Sequence, residues 1–278
     1  MALFSDDLTV FFDDNGSFTD LSFEAHDYLR DDFDLTLVAA EDYIYVGLYK
    51  PFGGIFAEFK TGNSGADTLT GEFYNGSSFA ALSNLRDDTL GFSRSGFIEF
   101  PRDQTDWAKT TVNGESLYWV RFKTSTDTSA MEIQGLNIVF ADDEDLKSEF
   151  RKVTKLLPSG DSTFIAYHQA ARDEIVQSLR NKGNAKLKSG ESQLSSLTKW
   201  DVLDRGEIKQ AAKFLALAKI TFDASDATED KMYQRNLDYM RKYGEAFRLY
   251  FLSLDCDDDG IKDDGEALSV QRVEVVRI

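Results

Sequence analysis

Asp255, Asp257 and Asp259 stand at alternate positions near the C-terminal end of the sequence, Gly260 follows them, and Glu266 closes the run. The spacing is D-x-D-x-D-G-x5-E, matched in full. Such a set suits calcium, a hard cation that takes about six to eight oxygen ligands. Asp255, Asp257 and Asp259 would supply carboxylates, Gly260 the sharp turn, and Ile261 its backbone carbonyl. Asp263 would act directly or through water, and Glu266 would close the cage with two oxygens. Bound Ca2+ in a structural role is therefore expected.

Two details set this loop apart from sensor EF-hands. Its eighth position is Lys262, where paired loops use an apolar β-branched residue to bond a neighbour, and the sequence holds no second loop of this pattern. The segment after it, Leu268 to Ile278, alternates like a strand. The expected unit is helix–loop–strand, suited to stapling a chain reversal rather than to sensing calcium. Cys256, the single cysteine, sits at the second loop position and points away from the metal in this reading. One cysteine excludes an intramolecular disulfide and fits a reducing compartment.

The elements that must position this loop follow from the rest of the chain. With 278 residues, 42% hydrophobic and 13% aromatic, it is long enough for two cored domains. The formal net charge is −18. Such a chain repels phosphate backbones and anionic membrane surfaces. Up to Phe140 there are 9 basic and 23 acidic residues, and after it 22 and 26, so the acidity is concentrated in the first half. The segment Met1 to Asp7 lacks a basic region and an apolar run. A soluble protein made in the cytoplasm is expected.

The first half reads as β. Tyr43–Tyr49, Gly54–Lys60, Thr68–Tyr74, Gly96–Phe100, Leu117–Lys123 and Ile133–Phe140 are β-branched, aromatic or alternating runs. Asn15-Gly16, Gly62-Asn63-Ser64-Gly65, Asn75-Gly76 and Asn113-Gly114 punctuate them as turns. The second half reads as α. Asp142-Asp143-Glu144-Asp145 opens a helix toward Leu157. Phe164, His168, Ala171, Ile175 and Leu179 mark the next, and Gly183 to Ser196 reads as a loop. Thr198 with Asp201 resembles a cap before a helix carrying Ile208, Ala212, Leu215 and Ile220. Asp226 with Glu229 caps the last, whose stripe is Met232, Leu237, Met240, Phe247, Tyr250 and Phe251. The fold expected is α+β and multidomain. An antiparallel, jelly-roll-like β-sandwich over 1–140 precedes a helical bundle over 141–278 with its calcium loop and terminal strand.

No catalytic constellation stands out. His26 and His168 lie in no metal or triad spacing, and His168 reads as packing or surface on a helix. No pair of carboxylates can be singled out in so acidic a chain. The chain therefore reads as a binding or structural protein and not an enzyme. Trp119 lies within an alternating strand and reads as core, whereas Trp107 has a polar context. Aromatics on a sandwich can stack on sugars, so a carbohydrate-binding module with a calcium-stabilised helical domain is the alternative.

Two regions carry a resemblance. Val46 to Phe52, Phe73-Tyr74-Asn75-Gly76, Trp107-Ala108-Lys109 and Tyr118 to Phe122 are similar to β-sandwich domains of tailed-bacteriophage structural proteins. The helical half, ending in Leu254 to Asp263 and a terminal strand, resembles phage head–tail connector (adaptor, neck) proteins. That resemblance implies a virion protein of the capsid–tail junction, made in the bacterial cytoplasm. It implies a homo-oligomeric ring, usually of twelve copies, docked under the portal protein and contacting tail or other neck proteins. It also implies that viral DNA passes through the ring without specific binding, and that no membrane is involved.

Melting should occur at a higher temperature in calcium than in EDTA, and Asp255→Ala combined with Glu266→Ala should remove the difference. A difference that survives the double substitution would exclude the site.

Overall fold

Runs that alternate with period two become strands in the N-terminal part of the chain, and runs with apolar residues every three or four positions become helices in the C-terminal part. The computed structural model describes residues 7–26, 32–39, 41–65, 67–181, 197–226, 230–248, 251–254 and 267–269. The fold is α+β, with antiparallel sheets first and helices after. The described residues divide into two compact units, one up to Ile138 and one from Val139.

The first unit holds β1 (Thr9–Asp14), β2 (Ser17–Asp20), the short α1 (Ser22–His26), β3 (Phe33–Leu35), β4 (Tyr43–Leu48), β5 (Gly54–Thr61) and β6 (Leu69–Tyr74). After them come β7 (Phe79–Ala81), β8 (Arg86–Asp87), β9 (Gly96–Glu99), β10 (Lys109–Val112), β11 (Glu115–Thr124) and β12 (Met131–Asn137). One sheet runs β2-β1-β4-β11-β6-β7, with β10 also on β11, and the other runs β3-β12-β5-β9-β8. Rings meet across the two, since Phe122 of β11 lies 6.2 Å from Phe100, just past β9. Asn15-Gly16 and Asn113-Gly114 make the two-residue hairpins β1–β2 and β10–β11, each with both residues at positive φ. Strands β1, β2, β3, β7, β8 and β10 add to the runs read from the sequence, and three of these are only two or three residues long.

The first sheet buries both its faces around β11. Val120 and Phe122 are covered on one side. On the other, Trp119 is fully buried, stacked on Phe11 at 5.4 Å and edge-on to Tyr45 at 6.2 Å. Its indole N–H donates to the Thr110 carbonyl at 3.0 Å, so the β10–β11 hairpin closes over it. The ring lies flat on Gly47, directly opposite in β4, where a Cβ would meet it at 2.6 Å. Trp107 packs edge-on among Phe73, Phe100 and Tyr118. Both tryptophans fill packed layers.

The second unit holds α2 (Asp143–Glu149), α3 (Ile165–Asn181), α4 (Arg205–Asp223) and α5 (Lys231–Arg248), followed by β13 (Phe251–Ser253) and β14 (Ala267–Ser269). Its core includes Leu146, Phe164, Ile175, Leu215 and Leu252. The acidic run is a staple. Asp142 and Asp145 form a reciprocal capping box at the start of α2. Asp145 also takes Lys209 of α4 at 2.6 Å, and Asp143 takes Nε2 of His168 of α3 at 2.9 Å. Burial and the neighbouring Asp145 charge push the Asp142 carboxyl up, against the opposing pull of the Asp145 N–H. His168 is buried rather than a surface group.

Several helix boundaries differ from the sequence reading. The helix expected to reach Leu157 stops at Glu149, because the chain extends at Phe150 to bury its ring, and only a 3₁₀ turn follows at Val153–Leu156. Thr198 and Asp201 do form a capping box, but over a 3₁₀ turn, and α4 is capped by Asp204. At α5 the Met232 N–H is taken by Asp230, which also accepts from the Asp226 N–H, so Asp226 is not the cap. The stripe of α5 is rotated too. Tyr239, Ala246 and Phe247 are buried, whereas Leu237 and Met240 are 47% and 41% exposed. Tyr239 stacks on Phe214 of α4, and the Lys242 ammonium stands over both rings, at 5.3 and 5.6 Å, so the aromatic pair takes the place against α4. No helix among the described residues is long and apolar enough to cross a membrane.

Gly47→Ala should cost about 1–3 kcal/mol in urea unfolding, the usual penalty for overpacking. Pairing it with Trp119→Leu should recover part of that loss, and an unchanged midpoint for Gly47→Ala alone would refute the flat packing of the indole.

Candidate functional site

The metal ligands expected from the sequence, Asp255, Asp257, Asp259, Ile261, Asp263 and Glu266, lie outside the described residues. What is described is the chain on either side of them. The alternation of Phe251-Leu252-Ser253-Leu254 is a strand pattern, so the chain leaves α5 at Arg248 and enters β13. Where a helix was expected to lead into the run, strand β13 precedes it, and strand β14 follows it. Strand β13 pairs antiparallel with β14, with Phe251 opposite Ser269, Leu252 opposite Leu268 and Ser253 opposite Ala267. All six predicted ligands fall between Ser253 and Ala267. Directly opposed residues of an antiparallel pair have Cβ atoms about 5 Å apart, so both ends of the loop meet.

The first of those ends is anchored to the helical core. Leu252 and Leu254 are fully buried. Between them, Ser253 donates its backbone N–H to Glu207 Oε2 at 2.6 Å and its hydroxyl to Oε1 at 2.9 Å. Its carbonyl accepts from the Leu203 N–H at 2.9 Å, and Val202 bridges to Leu254. Glu207 is placed for this by the first turn of α4, where Asp204 caps the helix through the Gly206 N–H at 2.7 Å. One carboxylate thus holds the strand residue two positions before Asp255. A cation loop with fastened ends loses less entropy on closing around its ion.

A second group stands on the first sheet. Arg121 lies between the rings of Tyr43 at 4.1 Å and Phe79 at 4.2 Å. It pairs with Glu72 at 2.6 Å and donates to the Tyr45 hydroxyl at 3.0 Å. Lys123 donates to the Tyr43 hydroxyl at 3.3 Å. Burial pushes the Tyr45 phenol up, which the Arg121 hydrogen bond opposes. Tyr43, Tyr74 and Phe79 are half-buried, so the face is aromatic and cationic at once.

Neither Glu207 nor Arg121 stood out in the sequence. Each is one charged residue among many, and its partner lies 46 or 49 positions away. Among the described residues no group of three or more His, Cys, Asp or Glu side chains is gathered as a metal site.

No protein-family model and no curated protein matches the chain. Among solved structures it is similar to a family 89 glycoside hydrolase from Clostridium perfringens in complex with 2-acetamido-1,2-dideoxynojirmycin, at 12% identity and a TM-score of 0.29, over 64% of this chain and 20% of that one. The same family from the same organism in complex with GlcNAc-alpha-1,4-galactose matches at 13% identity and a TM-score of 0.29, over 62% and 19%. The chain thus spans about a fifth of the length of the solved structures it matches, and overlap of that quality does not set its activity.

Glu207→Ala should remove both acceptors of Ser253 and cost about 1–3 kcal/mol locally. Amide hydrogen exchange at residues 251–254 should accelerate while the middle of α4 stays protected, and Glu207→Gln, which keeps one acceptor, should fall between. Unchanged exchange at Ser253 would rule out the clasp.

Proposed function

We propose that the chain is a non-enzymatic structural protein of a tailed-phage virion, a head–tail adaptor that joins capsid to tail as a ring beneath the portal. The reading is supported by the strand pair at the end of the helical unit. Among the described residues β14 pairs with β13 alone, and addition of a further strand beside this pair is the mode of docking the reading calls for. A neighbouring subunit or the portal would bond there. Calcium in the adjoining loop would rigidify this docking element, its two ends already joined by β13 and β14. The net charge of −18 agrees with a channel past which DNA slides without sticking.

A second reading, a glycan-binding module, is favoured by the half-buried Tyr43, Tyr74 and Phe79 beside Arg121 and Lys123 on the first sheet. Stacking of sugars on such rings needs open ring faces, and the Arg121 guanidinium occupies one face each of Tyr43 and Phe79.

Mass photometry with and without portal protein separates the two. A ring-sized oligomer, alone or on the portal, supports the adaptor. A species that stays monomeric with portal present and is retarded on polysaccharide gels would overturn it in favour of the glycan reading.

A further inference from the structure

The helical unit carries a groove of about 630 Å³ between α3, α4 and α5. Ala166 and Ala170, one turn apart on α3, leave room for it, and Leu215 of α4 joins them in its apolar wall. Phe222 and Met240 also line it, 56% and 41% exposed. Leu237, one turn before Met240, is 47% exposed. Three large apolar side chains of α4 and α5 thus stand partly in solvent, two of them, Phe222 and Met240, on the groove itself.

The rim is acidic. Asp161, Glu174 and Asp223 face Lys219, whose ammonium is held by Glu174 at 2.6 Å. That pair cancels, and Asp161 and Asp223 leave the groove with two net negative charges. The Tyr167 hydroxyl donates to Asp223 Oδ2 at 2.9 Å. Burial and that carboxylate push the phenol up to about 12, so it remains a donor and adds no charge at working pH. The Asn236 amide donates to the Ala218 carbonyl at 2.8 Å and braces α5 on α4. Apolar walls under a rim of carboxylates select an apolar side chain bracketed by cations and reject nucleic acid, anionic lipid and acidic peptide.

We propose that this groove docks an amphipathic, lysine- or arginine-bearing segment of a partner protein, with one bulky apolar side chain seated between Phe222 and Met240 and its cationic neighbours at Asp161 and Asp223. This is the helix-in-groove mode of recognition, with charge fixing the register. The assignment stands apart from the adaptor reading, because it rests on the groove and not on the terminal strands.

The test uses the full chain and three labelled peptides read by fluorescence anisotropy at about 0.15 M salt. One is a Leu/Lys amphipathic helix, one the same pattern with Glu for Lys, and one oligolysine of equal charge. The Leu/Lys peptide should bind at least about tenfold more tightly than either control. Phe222→Ser and Met240→Gln, both at exposed positions, should each weaken it about tenfold with an unchanged melting temperature. Asp223→Asn should weaken it and flatten its salt dependence. Equal binding of oligolysine, or full binding by both apolar variants, would overturn the proposal. So would self-association of the chain that Phe222→Ser abolishes while the Leu/Lys peptide fails to bind, since the groove would then be an interface between copies.

Discussion

A buried or half-buried carboxylate must find donors, and in a chain of net charge −18 that requirement shapes both units. The first turn of α2 answers it by capping itself through Asp142 and Asp145 while reaching His168 and Lys209 on two other helices. Glu149 sits between Lys213 and Lys242; burial pushes its carboxyl up, and the two ammonium groups outweigh that and leave it below the ordinary range. Glu207 receives the backbone N–H and the hydroxyl of Ser253 in β13. In the first unit Glu72 takes Arg121, and Asp67 takes the Thr126, Asn63 and Ser125 side chains, which hold its carboxyl low. The acids are therefore not only a solvated surface. A share of them tie one element to the next, each with neutral or cationic donors at hydrogen-bond distance.

The sheet that carries Trp119 shows the companion constraint. A strand such as β11, with Trp119, Val120 and Phe122 all buried, presents apolar side chains to both faces and needs two covers. One face meets the second sheet. The other is closed by the unit's own hairpins, and the close approach of the indole to β4 is what requires glycine at position 47. The Arg121 group borders this covered patch, where Tyr45 touches both Trp119 and the guanidinium. Its aromatic rings serve packing on one side and meet solvent on the other.

The helical unit divides its labour between two ends of the same helix. The N-terminal turn of α4 holds β13 through Glu207, and its C-terminal turns carry Lys219, Phe222 and Asp223 to the groove. Helix α5 belongs to both regions, since its end leads into β13 and its middle supplies Asn236 and Met240. A segment bound in the groove would rest on the helix that also positions the terminal strands. This follows from α4 and α5 being laid side by side through Phe214, Tyr239 and Lys242.

Much of the architecture was legible in residue order. Period-two runs located β4, β5, β6, β9, β11 and β12, and Asn-Gly pairs located two hairpins, because backbone sterics and side-chain alternation act over a few residues. The heptad-like spacing of Phe164 to Leu179 located α3, and the apolar positions from Ile208 to Ile220 located α4, for the same reason. The liganding pattern expected from Asp255 to Glu266 also rests on local spacing, and it lies outside the described residues. Tertiary structure alone decided the rest. Which face of α5 is buried depended on Phe214 of α4, on which Tyr239 stacks, while Leu237 and Met240 are in solvent. Strand β13 replaced the end of a helix because Leu252 and Leu254 could both be buried against α4 and Glu207 could receive Ser253. A carboxylate and the serine that it holds are 46 positions apart, and no local pattern encodes a pairing that forms only after helix and strand have packed.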